Sequence, residues 1–155
     1  MVRRLMVHGM RLVVLILLTS VLSAGCSEPR LSCDDSLVSA RVADILKERA
    51  VAEFSSQCLG GRWPESPSVE SACGLASGKP GEACRDACRA FYEDNVEVTL
   101  GSVTDRFKDS TTDALSCQAE VRINLGTPGV APIEATVPYL AQPGPDGPRV
   151  VLVSP

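Results

Sequence analysis

Histidine is nearly missing from this chain: in 155 residues the single imidazole is His8. Downstream of it, Ser-His and Cys-His nucleophile couples and histidine zinc sites have no residue to use. Aromatic side chains are also scarce, at 4% of the chain, and consist of Phe54, Trp63, Phe91, Tyr92, Phe107 and Tyr139. These are the side chains that bury most area apiece, so a core here must rely on aliphatics and covalent ties. Basic charge is in short supply, with 15 Lys and Arg against 19 Asp and Glu. That balance argues against nucleic acid as a partner and against electrostatic adhesion to anionic lipid. Zinc spacing is absent too, because Cys84 and Cys88 are four apart and no second close pair exists. The Gly60-Gly61 pair lacks the strand-to-helix context of a phosphate loop. No catalytic constellation, cofactor motif or metal motif is left, and the chain reads as a non-enzyme.

What the chain does have is seven cysteines, and they divide into one and six. The one, Cys26, follows a segment in three parts: Arg3, Arg4 and Arg11, then the apolar run Leu12 to Leu22, then Ser23-Ala24-Gly25. A run of this length is too short for a permanent bilayer span, which needs about 20 residues. The segment Leu22-Ser23-Ala24-Gly25-Cys26 resembles the end of a bacterial lipoprotein signal peptide. The resemblance implies removal of residues 1–25, acylation of Cys26, a tether through residue 33, and a single domain over 34–155. Two or more acyl chains make a stable anchor where one would not. The family usually has an aliphatic residue three before the cysteine, where this chain has Ser23. Small residues at Ser23 and Gly25 also suit ordinary signal peptidase, whose product would be soluble. Ser27, in place of the Asp that retains Gram-negative lipoproteins at the inner membrane, implies the outer membrane facing the periplasm. Removing three arginines leaves 12 bases against 19 acids, a formal charge of −7.

The remaining Cys33, Cys58, Cys73, Cys84, Cys88 and Cys117 form an even set, as an oxidising compartment favours. Six cysteines allow 15 connectivities. We expect Cys33 with Cys117, closing a loop worth roughly 4 to 5 kcal/mol on chain-entropy grounds. The other four pair most simply in nested fashion, Cys58 with Cys88 and Cys73 with Cys84, across the turn between Gly78 and Gly81.

Periodicity supplies the elements. Val38, Val42, Ile45, Leu46 and Phe54 recur at helical spacing, predicting a helix from Ser36 to Gln57 behind Asp34 and Asp35. From Leu59 to Glu82, glycines and prolines interrupt any long element, although Val69 to Ala76 has room for a helical turn. Cys84, Ala87, Cys88 and Phe91 share one face of a short helix ending at Asn95, so its two cysteines point to different partners. The period then changes to two. Val96, Val98 and Leu100 alternate with polar residues, and Gly101-Ser102 suggests a bulge. The clearest strand sets Leu115, Cys117, Ala119, Val121, Ile123 and Leu125 against Ser116, Gln118, Glu120, Arg122 and Asn124. A third strand, Ile133 to Ala141, contains Pro138 and is expected at an edge or bulge. A fourth, Arg149 to Val153, follows a Pro- and Gly-rich turn.

The expected class is α+β: a long helix on a curled four-stranded antiparallel meander, with a disulfide-stapled loop and short helix between. That order resembles cystatin-like and NTF2-like folds. The run Ser116-Cys117-Gln118-Ala119-Glu120-Val121, Tyr139, and Asp146-Gly147 before Val150 to Val153 also resemble small exported bacterial lipoproteins of that shape.

Two sets of side chains merit attention. Asp105, Asp109 and Asp113 around a hairpin hint at calcium but lack the compact Asp-x-Asp-x-Asp-Gly spacing, and Asp34-Asp35 suits a helix N-terminus. Arg62 and Trp63, in the Gly- and Pro-rich loop, have the makeup of a binding anchor, or else Trp63 lids the disulfides beneath it. The expected function is that of a membrane-anchored, non-catalytic interaction module with an envelope protein partner, of inhibitor, immunity or assembly-accessory type. The alternative is a small-ligand or lipid-binding domain with an apolar pocket between helix and sheet.

Overall fold

The computed structural model describes residues 31–74 and 80–153. The leader, Cys26 and the tether through residue 30 lie outside the described residues, as does Gly78. Three helices precede four strands: α1 (Ser36–Leu59), α2 (Pro67–Cys73), α3 (Glu82–Asn95), β1 (Glu97–Lys108), β2 (Leu115–Asn124), β3 (Ile133–Gln142) and β4 (Arg149–Leu152). The sheet is an antiparallel meander in the order β1-β2-β3-β4, so the α+β class with helices ahead of a four-stranded sheet is the one found.

α1 starts where the sequence places it, because the Asp35 carboxylate accepts the Leu37 N–H at 2.8 Å and caps the first turn. Its buried residues include Val38, Val42, Leu46 and Ala50, one every fourth position. With 3.6 residues per turn, a step of four overshoots by about 40°, so the stripe turns about 120° between Val38 and Ala50. One helix therefore serves two cores. Val38, Val42 and Leu46 pack with Leu115, Cys117, Ala119, Val121, Tyr139 and Ala141 of the sheet. Ala50, Val51 and Cys58 instead join Val69, Cys73, Cys84, Cys88, Tyr92, Val96 and Leu125. Three of the six aromatics gather in the second core, with Tyr92 5.8 Å from Phe54 and 5.2 Å from Phe91 between ring centres.

The disulfides are Cys33–Cys117, Cys58–Cys88 and Cys73–Cys84, with Cα separations of 5.8, 6.0 and 4.7 Å. These are the nested pairs set out above. Cys84 and Cys88 share a face of α3 and reach different helices, α2 and α1. Leu31 packs on the first core and Cys33 is fully buried, so the folded unit begins ahead of Asp34.

The alternation read along β2 holds, with Leu115, Cys117, Ala119 and Val121 buried towards α1. The ladder between β1 and β2 slips at Gly101-Ser102, between Leu100 and Val103, and again between Asp105 and Phe107. That second bulge has no glycine to announce it. It also carries β1 beyond Asp105, which lies opposite Cys117 within the strand.

β3 corrects the expectation drawn from Pro138. It is an interior strand, paired to β2 over Leu115↔Ala141 through Ile123↔Ile133 and to β4 over four residues. The Pro138 carbonyl accepts the Val153 N–H at 3.0 Å, so its backbone polar groups face the β4 side. A strand residue directs its N–H and C=O to the same neighbour, so the donor that proline lacks is missing just beyond Leu152, where β4 has ended.

Gly126, after β2, has φ 62°, and a Cβ built there would lie 2.6 Å from Asn95 Cβ and 2.9 Å from Asn95 O. Gly126→Ala should therefore destabilise the protein by about 2 kcal/mol. Gly81→Ala, where a Cβ meets open space, should change stability little, and denaturant unfolding compares the two.

Tyr139 is fully buried, and its hydroxyl donates to the Cys33 carbonyl at 3.0 Å. Burial, then the charges of Asp105 and Asp34, raises its pKa above that of free tyrosine. A raised tyrosine pKa contributes stability that is complete below the unfolded value of about 10 and is lost as pH climbs through the folded value. Tyr139→Phe should cost about 1 kcal/mol at neutral pH by deleting the hydrogen bond. It should also reduce the alkaline loss of stability, leaving the share of Tyr92, whose pKa burial also raises. Urea titrations of both proteins at neutral pH and above pH 10 check the sign.

Candidate functional site

The carboxylates singled out in the sequence have structural employment. Asp35 caps α1. Asp109 accepts the Thr111 and Thr112 N–H groups at 2.7 and 3.3 Å, and these bonds, Thr111 first, hold its pKa below the ordinary carboxylate value. Asp113 pairs with Lys108 at 2.9 Å, and Asp105 belongs to β1. The three are not brought together into one oxygen cage.

The six cysteines among the described residues likewise offer no thiolate. The sulfurs of Cys73, Cys84 and Cys88 lie within 4.8 Å of one another, buried, and all are committed to disulfides. Cys73 Sγ and Cys88 Sγ are 3.9 Å apart, so the two cystines pack against each other. They weld the far end of α1 to α2 and α3.

Arg62 and Trp63 stand on that welded end. Gly60 N–H bonds back to the Ser56 and Gln57 carbonyls, Gly61 N–H to Cys58 O at 3.0 Å, and Arg62 N–H to Gln57 O at 3.2 Å. Gly61 has φ 92°, a conformation that side chains rarely adopt, and it turns the chain directly off the helix. Pro64 and Ser66 are buried after it, and the Ser66 and Ser68 hydroxyls share a hydrogen bond at 2.9 Å. The loop is thus tied down on both sides of an exposed pair. Trp63 is 43% exposed and belongs to neither core, where Phe54, Leu59, Ala87 and Phe91 cover the cystines instead. Of the two sequence readings for Trp63, the lid is the one this placement disfavours.

The space between α1 and the sheet is filled by packed side chains. A groove of about 830 Å³ lies outside that core, between α1 and the β3–β4 turn. Its walls mix Leu37 and Ile45 with Arg41, Asp44, Asp146 and Arg149. A groove of about 510 Å³ along α1 and α3 and one of about 540 Å³ across β1, β2 and β3 are open to solvent as well.

A further feature escaped sequence reading. Side chains opposite one another in an antiparallel ladder share a face. On the outer face, away from α1, the register sets Phe107, Ser116, Leu140 and Val151 in one row across all four strands. The next row holds Thr104, Gln118 and Pro138, with Val153 bonded beside Pro138. Phe107 is 69% exposed and Val151 57%. The polar alternation of β2 had marked this whole face as hydrophilic, because its apolar members come from the other three strands.

No protein-family model, no curated protein and no solved structure matches this chain.

Proposed function

We propose that this chain is an exported lipoprotein whose folded domain is a non-catalytic interaction module. Cys26 carries the acyl anchor, the domain sits at a bacterial membrane, in the outer membrane facing the periplasm, and Arg62 with Trp63 engages an envelope protein. An inhibitor, an immunity protein or an assembly accessory would all work this way. The reading is carried by one observation: a large, exposed aromatic on a turn held by backbone hydrogen bonds to the end of α1 and backed by the Cys58–Cys88 disulfide. An aromatic held in place before binding loses little entropy on contact, and tryptophan and arginine are enriched among the residues that dominate interfaces. Loops presented by a rigid scaffold are where binding concentrates.

The anchor is tested by fractionation. Cys26→Ser should leave unprocessed precursor or move the protein to the soluble periplasm; wild-type protein that is soluble without detergent would contradict lipidation. For the binding half, protein extracted from envelopes in mild detergent is crosslinked, and the captured partner is then purified for titration. Trp63→Ala should weaken that partner's affinity by about 2 kcal/mol, roughly 30-fold, with the melting temperature nearly unchanged. Unaltered affinity would remove Trp63 from the interface.

A further inference from the structure

We infer that the outer face of the sheet at its hairpin end, the row of Phe107, Leu140 and Val151 with Pro138 and Val153 beside it, rests on the surface of the lipid bilayer. This rests on the reading of Cys26 as the anchor. α1 packs on the opposite face, and only at the β4 edge does Val151 also border the groove beside that helix. Two observations select a membrane as its occupant.

The first is where the chain outside the described residues comes in. Cys33 is bonded to Cys117, the residue next to Ser116 of the apolar row, and Leu31 packs on the same core. Only residues 27–30 separate Cys26 from the folded unit. At full extension the step from Cys26 to Leu31 covers about 17 Å, so an acylated Cys26 keeps this end of the sheet close to the bilayer. The loop of Trp63 lies beyond the other end of α1, about 35 Å along the helix from Ser36.

The second is charge. A domain with an excess of acids is repelled by anionic lipid over most of its surface. Neither apolar row contains a carboxylate. The acids at this end are largely spent: Asp113 is paired with Lys108, Asp109 is turned into its own loop, and Asp105 falls on the inner face opposite Cys117. Asp34, exposed beside Cys33, and Asp146, in the β3–β4 turn, remain. Arg106 and Arg149 are exposed and form no ion pair among the described residues, and Arg149 also lines, with Asp146, the groove beside α1. This face combines exposed apolar side chains with a basic rim, which is the surface chemistry of interfacial lipid binding.

The test uses the full chain as the cell makes it, reconstituted in vesicles of phosphatidylethanolamine and phosphatidylglycerol at 3:1. In a Trp63→Phe background, a single tryptophan is placed by Phe107→Trp or, at the other end of the same face, by Thr136→Trp. Brominated acyl chains should quench the reporter at 107 at least twofold and shift its emission to the blue, and leave the reporter at 136 nearly unchanged. Arg106→Glu with Arg149→Glu should reduce the quenching at 107. Equal quenching at the two positions, or none at 107, overturns the inference. So does a blue shift at 107 without quenching in protein that crosslinks as a dimer, which would give the row to a second copy. Mass analysis and flotation separate this from the anchor. If Cys26 carries no acyl chain, quenching at 107 by added vesicles keeps the bilayer contact and discards the anchor, and its absence discards both.

Discussion

The whole arrangement depends on the winding of the buried stripe on α1. Had the apolar residues followed a strict three-four alternation, the helix would present one face to one partner, and the sheet alone would cover it. Spacing by fours rotates the buried side as the helix proceeds. Val38 and Val42 therefore meet Tyr139 and Cys117, while Val51 and Cys58 meet Tyr92 and Cys88. Two small cores share one rod, and each is closed covalently: Cys33–Cys117 at the sheet, Cys58–Cys88 and Cys73–Cys84 among the helices. With only six aromatics available, buried cystines supply the bulk and cohesion that large rings would otherwise give.

Local chemistry explains which elements were legible in the sequence. A cap at Asp35, alternation through β2 and glycine at the first bulge are all properties of neighbouring residues. That Cys84 and Cys88 take different partners was legible because they sit four apart on a helix, whereas the nested choice among the four cysteines was only the simplest one. Pro138 misled because its effect depends on the length of another strand: an interior position tolerates proline when the neighbour stops short. The second β1 bulge, at Arg106, has no local marker. Least legible was the outer apolar row, whose members lie on four strands and become neighbours only through register. Arg62 and Trp63 could be singled out by composition, but whether Trp63 lay in a core or in solvent turned on which other side chains covered the cystines.

The distribution of aromatics then takes on meaning. Four of the six are buried or partly buried, and two are exposed, Trp63 and Phe107. They occupy opposite ends of the folded unit. One stands on a helix terminus welded by two disulfides, the other on a hairpin beside the residue that receives the third. Each exposed ring has a covalent tie close behind it, so its position is not lost to local fraying.

That geometry constrains how a tethered domain of this shape would work. A short tether limits distance but does not by itself set orientation, and a domain held by its tether alone would sample many poses, most of them turning Trp63 sideways or towards the bilayer. A second contact at the root end would remove that freedom, with Arg62 and Trp63 at the other end of α1, about 35 Å from its start. Restricting the poses in advance lowers the orientational entropy lost when a partner docks. An acidic surface would assist, because repulsion from anionic lipid disfavours poses that turn carboxylates towards the bilayer.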